Sequence, residues 1–474
     1  MLPLLLLAAA MHAQNVPVIM LSDIHFDPFH DPGKFAQLQS APATKWLAIL
    51  SAPDTPTAAA DFIALQKTCK AKGIDTPFAL LTSSLRAEQA QQPHPAFVTV
   101  SGDLLVHKFD CRFQQLAPKA TEADYSAFAA KTVEFVALEL HATFPQSPVY
   151  FALGNNDSGC GDYKEDPNSS FLQADAQSFA ADVDKPNTQA VLTEFPHVGD
   201  YNAVLPAPFH NTRLLVLQDI FESKKFTACN SAKDLRGETE QIAWLRTQLS
   251  TARAHHEHVW IMAHIPPGVD AYSTLTDGHD VCGGKAPEMF LDSSAFADVI
   301  TDFPDVIRLV LLGHTHNDEM RIYSSALGKV PGKLVPSITP VNGNNPAFTL
   351  AQVDSKSATL EDYAVISASN QTGISTKWAE EYRYSTTYNL PDFSAATASK
   401  LLTDFTADKP GTSAASHAYE HFYFVSGPGT ASSAKAMAMQ LIWPAYTCSI
   451  SQTTEADFRR CMCPASSPAP QKHR

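Results

Sequence analysis

Five near-continuous apolar runs constrain this chain more than any other feature: Val16–Leu21, Ala96–Val100, Val149–Leu153, His258–Met262 and Val306–Leu312. Runs that stay apolar at every position read as strands covered on both faces, the habit of a mainly parallel sheet. Between them, Glu122–His141 places Tyr125, Phe128, Phe135 and Leu138 on one helical face, with Thr121 as its N-cap. Glu238–Leu249 does the same with Ile242, Leu245 and Leu249. Strands alternating with helices specify a layered α/β domain whose ligands bind beyond the carboxyl ends of the strands.

Each run closes on polar residues: Asp23-Ile24-His25, Gly102-Asp103, Gly154-Asn155-Asn156-Asp157, Ala263-His264 and Gly313-His314-Thr315-His316. In the first, alternate residues project the same way, so one carboxylate and one imidazole reach a single ion. Gly102 permits a sharp turn, and Asp103 after it offers a carboxylate able to bridge two ions. Asn155 offers a neutral amide oxygen, and His264 stands where the strand gives way to Ile265-Pro266-Pro267-Gly268. His314 and His316, two apart at a strand end, suit neighbouring ions. Singly, each stretch is as well explained by a turn, a cap or a satisfied core histidine. Together they point to a two-metal site with Asp23, His25, Asp103, Asn155, His264, His314 and His316 as ligands. Two ions about 3.5–4 Å apart lower the pKa of a shared water and neutralise phosphate oxygens, the chemistry of hydrolysis at phosphorus. The leaving oxygen then needs a proton, and His107, four residues past Asp103, is the candidate. The alternative for His107 is an ordinary surface histidine in a loop.

The chain has 474 residues, enough for two or three domains, and its 34 Lys and Arg against 49 Asp and Glu leave a net charge of −15. That balance argues against a general affinity for nucleic acid. It leaves open a phosphate ester, because bound cations invert the local charge. Leu2–Ala10 followed by Met11-His12-Ala13 reads as a signal peptide over residues 1–13, although a basic leader is missing; the alternative is a buried first strand. No later run approaches the roughly 20 apolar residues of a membrane span, so a soluble secreted or periplasmic protein is expected. Eight cysteines fit an oxidising compartment and leave about 105 pairings open.

After His316, Met320–Tyr323, Lys333–Val335, Ala347–Val353 and Ala358–Val365 read as short strands of a second sheet. Helices are expected over Lys377–Tyr384, Ala395–Phe405, Ala414–Phe424 and Ala434–Ile442, and the Pro/Ser-rich tail 464–474 as disordered. The division expected is a catalytic domain over 14–370 and a helical region over 371–463.

The stretches SDIH, SGDLLVH, GNND, AHIPPG and GHTH resemble the blocks of calcineurin-like metallophosphoesterases, and more narrowly those of acid sphingomyelinase-like phosphodiesterases. Trp443–Cys463 is similar to that family's helical C-terminal region, so the resemblance covers nearly the whole expected mature chain. A saposin-type module is absent, which makes the saposin-free members the closer match. The resemblance implies a layered β-sandwich flanked by helices with a C-terminal helical region. It implies that Asp23, His25 and His316 hold one metal, that Asn155, His264 and His314 hold the other, and that Asp103 bridges. The ions would be zinc, with manganese or iron also acceptable to this donor set. His107 matches the family's imidazole after the bridging Asp.

One position departs from the family. Its usual block is GNH, where that His helps protonate the leaving group, and here Asn156 takes its place. Asn is no general acid, though its amide donates a hydrogen bond to a phosphate oxygen. Either His107 supplies the proton or the substrate has a leaving group that needs little help, such as a phosphate; the related endopolyphosphatases also carry Asn there. The implied activity is hydrolysis, by metal-activated hydroxide, of a sphingomyelin-like phospholipid head group or related small diester. A nucleotide pyrophosphohydrolase, an endopolyphosphatase, a phosphomonoesterase and a metal-binding protein without turnover are the alternatives. Attack on a membrane lipid would need an apolar surface that the sequence does not reveal. The loops Ser158–Lys164 and Asn342–Pro346 are the expected specificity walls. Cys111 and Cys160, on loops sharing the metal-bearing edge, are expected to pair. The family's bridges imply Cys229 with Cys282 and Cys448 with Cys461.

Overall fold

The computed structural model describes residues 15–425 and 432–463, so the leader and tail expected over 1–13 and 464–474 lie outside the described residues. Strands β1 (Asn15–Leu21), β2 (Val98–Ser101) and β3 (Val149–Ala152) run parallel in one sheet, with Leu21 opposite Val100 and Ser101 opposite Ala152. The chain then builds a second sheet from β4 (Tyr201–Val204), β5 (Thr212–Val216), β6 (His258–Met262), β7 (Ile307–Leu312), β8 (Glu319–Ser325) and β9 (Gly328–Leu334), in the order β4-β5-β6-β7-β9-β8. It returns to the first sheet with β10 (Ala347–Asp354), β11 (Leu360–Ala368) and β12 (Trp378–Arg383), giving β12-β11-β10-β1-β2-β3. The late strands are therefore not a separate second sheet as expected. Two of them extend the sheet that holds β7, and the rest pair outward from β1.

The apolar runs are continuous because both faces of these strands are covered. Leu214, Trp260, Met262, Leu309 and Leu311 of the second sheet join Val18, Met20, Val98 and Val100 of the first in one core. The alternate residues Leu215, Val259, Ile261, Val310 and Leu312 pack instead with Leu245 and Leu249 of the helix Arg236–Ala254 and with Phe296 and Val299 of the helix Ala295–Asp302. The helix expected near 122 runs over Glu122–Thr143, and Thr121 and Asp124 form a reciprocal capping box at its start. Phe128 and Phe135 are buried, with Tyr125 and Leu138 packed beside them.

Residues 377–384, expected as a helix, instead form β12 followed by the short helix Tyr384–Tyr388. Pairing with β11 overrides local helix preference there, and the Trp378 indole donates to Ser83 Oγ at 3.0 Å. The helices Ala395–Ala407, Ala414–Tyr423, Ser432–Ser449 and Glu455–Met462 complete the chain. They are bound to β8: Ile322 N donates to Ile450 O at 2.8 Å, and Met320 N to the Tyr419 hydroxyl at 3.1 Å.

Four disulfides are present, and Cys448–Cys461 is as expected. The other expected pairings are corrected. Cys111 pairs with Cys69, because the helix Phe109–Leu116 packs on the helix Ala58–Thr68. Cys160 pairs with Cys229, because the loop after β3 pairs through Lys164 with Thr227. Cys282 pairs with Cys463 of the last helical segment.

Candidate metal centre

The carboxyl ends of β1, β2, β6 and β7 bring six of the seven expected ligands to one point, and Asn155, after β3, reaches it through His314. Among the described residues, Asp23, His25, Asp103 and His316 offer ligand atoms that all lie within 4.8 Å of one another, and so do those of Asp103, His264 and His314. Asp103 belongs to both groups. Its Oδ2 lies 3.3 Å from His25 Nε2 and 3.2 Å from His264 Nε2. His316 Nε2 is 3.3 Å from both Asp23 Oδ1 and His25 Nε2. Asn155 Oδ1 accepts from His314 Nδ1 at 2.9 Å, while its amide nitrogen donates to Asp162 at 2.8 Å.

The backbone is strained at the clustered Asp and His residues. Asp23, His25, Asp103, His314 and His316 all have φ between +45° and +73°. Such conformations are uncommon for residues other than Gly, and Asp and His are among those that tolerate them best. Strain of this kind persists where surrounding structure over-determines it, typically at functional sites. Gly102 is required by close approach: a Cβ on it would stand 2.7 Å from His264 Nδ1. One on Gly154 would overlap the Asp103 carboxylate.

The donor set fits divalent cations. His25 Nδ1 donates to Leu105 O and His264 Nδ1 to Ser101 O, each at 2.8 Å, so both rings turn Nε2 toward the carboxylates. His264 Nε2 is buried with no hydrogen-bond partner. Burial works against charge here, yet attraction to the imidazoles holds Asp23 and Asp103 well below the usual carboxylate range. His264 is correspondingly pushed up to about 10 against burial by Asp103, whereas burial and His264 push His314 down to about 3. Two buried carboxylates thus demand positive charge at the point where the imidazole Nε2 atoms converge.

His107 stands over this cluster, its ring stacked on His25 with centroids 3.9 Å apart. Its Nδ1 lies 2.9 Å from Asp75 Oδ1. Burial disfavours the charged imidazole, but Asp75 outweighs it and holds His107 above its ordinary value. Asn156 donates from its amide to Asp103 Oδ2 at 2.9 Å and from its backbone to Oδ1 at 2.8 Å.

Asp75 and Asp219, beside the centre, carry no signal in the sequence. Asp75 is fully buried, holds His107 and also accepts from Thr339 Oγ1 at 3.0 Å. Asp219 accepts from the backbone N–H groups of His264 and Ile265, and Asp157 from those of Leu104, Leu105 and Gly154. The Tyr163 hydroxyl is 3.4 Å from His314 Nε2. Tyr163 belongs to one expected specificity loop; Asn342 belongs to the other and lies 3.3 Å from His316 Nδ1. Asn342 also lines a cleft of about 390 Å³ with His314, Tyr272, Phe290 and Tyr423.

Residues 16–318 match the family model described as calcineurin-like phosphoesterase. The chain belongs to that family. Calcineurin-like phosphoesterases hold a dinuclear metal centre, and this chain has a buried Asp/His cluster able to hold metal ions. Among curated proteins, the chain is 26% identical over 355 residues to the human acid sphingomyelinase-like phosphodiesterase 3b, covering 71% of each chain. It is 26% identical to sphingomyelinase phosphodiesterase D of Dictyostelium discoideum, over 67% of each chain. It is also 26% identical to a cyclic GMP-AMP phosphodiesterase of Bos taurus, over 55% of this chain and 57% of that one. Among solved structures, a dimetal phosphatase from Danio rerio overlaps 77% of this chain and 99% of its own, at 13% identity and a TM-score of 0.39. The chain is thus a calcineurin-like metallophosphoesterase and a hydrolase, similar to sphingomyelinase-like phosphodiesterases. Its four disulfides are consistent with an extracellular or lumenal protein, and no described helix is long and apolar enough to cross a membrane.

Proposed function

We propose that this chain is an exported, zinc-dependent phosphodiesterase that removes a phospholipid head group, or cleaves a related small diester. The observation that carries the reading is the Asp103 carboxylate, one oxygen of which lies within 3.3 Å of imidazole nitrogens from two ligand sets. Asp23, His25 and His316 would hold one ion and Asn155, His264 and His314 the other, with Asp103 shared. The ions supply Lewis acidity that neutralises phosphate charge and lowers the pKa of water. His107, aligned and charged by Asp75, donates its proton to the leaving oxygen. Asn156 gives one amide hydrogen to Asp103 and keeps the second for a phosphate oxygen.

The cleft beside His314 supports a cationic head group. It combines the aromatic rings of Tyr272, Phe290 and Tyr423 with the carboxylate of Asp270, while Glu319 in the same lining is paired with Arg321 at 3.3 Å. Aromatic faces with nearby acids suit an ammonium or quaternary amine. Asn156 supports a second reading, cleavage of nucleotide or polyphosphate anhydrides, because a phosphate leaving group needs no proton from that position.

The test is parallel hydrolysis of bis-p-nitrophenyl phosphate, sphingomyelin, ATP and polyphosphate by the zinc-loaded protein. Diester turnover above anhydride turnover is expected, and Asp103→Asn should lower it by more than about a hundredfold while metal content falls below two per chain. Anhydrides cleaved faster than diesters would favour the second reading. No turnover of any substrate with two metals bound would overturn both.

A further inference from the structure

Three elements meet at His264. Its carbonyl accepts from Gly313 N at 2.9 Å, just past β7, and its Nδ1 donates to Ser101 O at 2.8 Å, at the end of β2. Its backbone N–H donates to Asp219 Oδ1 at 3.2 Å. The next N–H, that of Ile265, donates to both oxygens of Asp219, at 3.1 and 2.8 Å. Two of the three partners of His264 are backbone groups; the third is a carboxylate. Sheet pairing brings it there. β5 and β6 run parallel with Val216 opposite Met262, and Leu217 N donates to Met262 O at 2.9 Å. Both strands therefore end at one edge, and the 3-10 turn Asp219–Glu222 starts beside the point where β6 gives way to His264. The Asp219 side chain crosses to a segment 45 residues further on.

A neutral acceptor would satisfy two backbone N–H groups. A buried carboxylate is costly unless a positive charge offsets it, and Asp219 is 1% exposed. It belongs to no ion pair among the described residues, its partners being the two N–H groups. Glu88 and Glu222 are buried as well, but both oxygens of each lack partners, and such groups are cheaper to bury neutral. Asp219 differs from them, because both of its oxygens face donors, the acceptor-only pattern of the ionised form. Hydrogen bonds from backbone N–H groups to a carboxylate are also stronger than those to a neutral acceptor. A cation held by His264 Nε2, which lies 3.2 Å from Asp103 Oδ2 and has no hydrogen-bond partner, would supply the missing positive charge.

We propose that Asp219 is a positioning residue for the ion assigned to Asn155, His264 and His314. Its two hydrogen-bonded oxygens fix the turn at 264–265 and with it the aim of His264 Nε2, and its charge, placed behind the ligand, favours a cation in front of it. The proposal rests on the two-ion reading and deepens it by making the two ions unequal. Asp219 makes no hydrogen bond to Asp23, His25 or His316, so the ion assigned to those residues does not depend on it.

The experiment titrates zinc into the full metal-free chain against a competing chelator, with bound zinc as the readout. The parent should take up two ions. Asp219→Asn, which keeps the shape and one acceptor oxygen, should bind one ion within about twofold of the parent and the other about ten- to a hundredfold more weakly. Asp219→Ser keeps a hydroxyl acceptor without the charge and should show the same split should the Asn variant not fold. A double-mutant cycle separates positioning from structure: in a His264→Ala background, Asp219→Asn should cost far less zinc affinity than in the parent, because no imidazole remains to be aimed. Equal weakening of both ions, or the same loss in that background, would mean that Asp219 serves structure alone and would overturn the proposal. So would two affinities equal to the parent's, with the two-ion reading left standing. A parent that binds fewer than two ions would overturn the two-ion reading, and the proposal with it.

Discussion

Asn156 gives the Asp103 carboxylate two hydrogen bonds, one from its amide and one from its backbone, and carries no proton to transfer. Replacing it by His places an imidazole beside Asp103. We therefore expect Asn156→His to raise turnover of diesters with alkyl leaving groups by at least about tenfold, at the low end of what a positioned general acid contributes. No gain with both metals bound would remove the leaving-group argument. Asp75 acts through His107 and is a positioning residue. Asp75→Asn removes the charge that holds His107 above its ordinary value, so kcat on alkyl esters should fall by about ten- to a hundredfold. Turnover of p-nitrophenyl esters, whose leaving group needs no proton, should fall far less; equal losses would mean that Asp75 serves only structure through Thr339 and Arg112. Legibility differs sharply among such residues. Asp23 and His25 stand two apart at a strand end and announce themselves. Asp75 lies in a loop whose place is set by pairing with residues 25–27, including Thr76 N to His25 O at 3.2 Å, and nothing local marks it.

At the level of elements, boundary chemistry and burial made some parts readable. Thr121 and Asp124 satisfy each other's backbone at the start of the helix Glu122–Thr143, with Asp124 N donating to Thr121 Oγ1 at 3.2 Å and Thr121 N to Asp124 Oδ2 at 2.8 Å. Thr121→Ala should cost about 1 kcal/mol, seen as a lower urea midpoint with an unchanged slope and unchanged kcat. A midpoint within error of the parent would mean the helix is held by packing alone. β12 shows why other elements were hidden. Trp378–Arg383 is an edge strand of mixed polarity, WAEEYR, and only its partner β11 makes it extended. The disulfides follow the same logic. Cys448 and Cys461 are close in sequence and pair, whereas Cys282–Cys463 spans 181 residues and depends on how the C-terminal helices fold back.

Across the whole molecule, several carboxyl groups are buried without counter-charges. Burial pushes Glu88 and Glu165 up to about 8 and Glu222 up to about 9 from an ordinary 4.5. Both oxygens of Glu88 and of Glu222 lack hydrogen-bond partners. Because these groups bind protons more tightly folded than unfolded, their contribution to stability is complete below pH 4.5. It is lost as pH rises through 8, at up to about 1.4 kcal/mol per pH unit for each group. Stability should therefore be higher at pH 5 than at pH 8, and Glu88→Gln should flatten that difference in denaturant titrations at the two values; an unchanged slope would exclude Glu88 as a source. The sequence by itself determined the layered α/β class and pointed to the Asp and His residues that cluster at the strand ends, because strands buried on both faces need unbroken apolar runs and the residues after them meet at one edge. Only the tertiary structure decided which strands share a sheet, which cysteines meet, and that Asp75 stands behind His107. Those depend on contacts between segments far apart in the chain, and no local spacing or periodicity encodes which distant segment will be the neighbour.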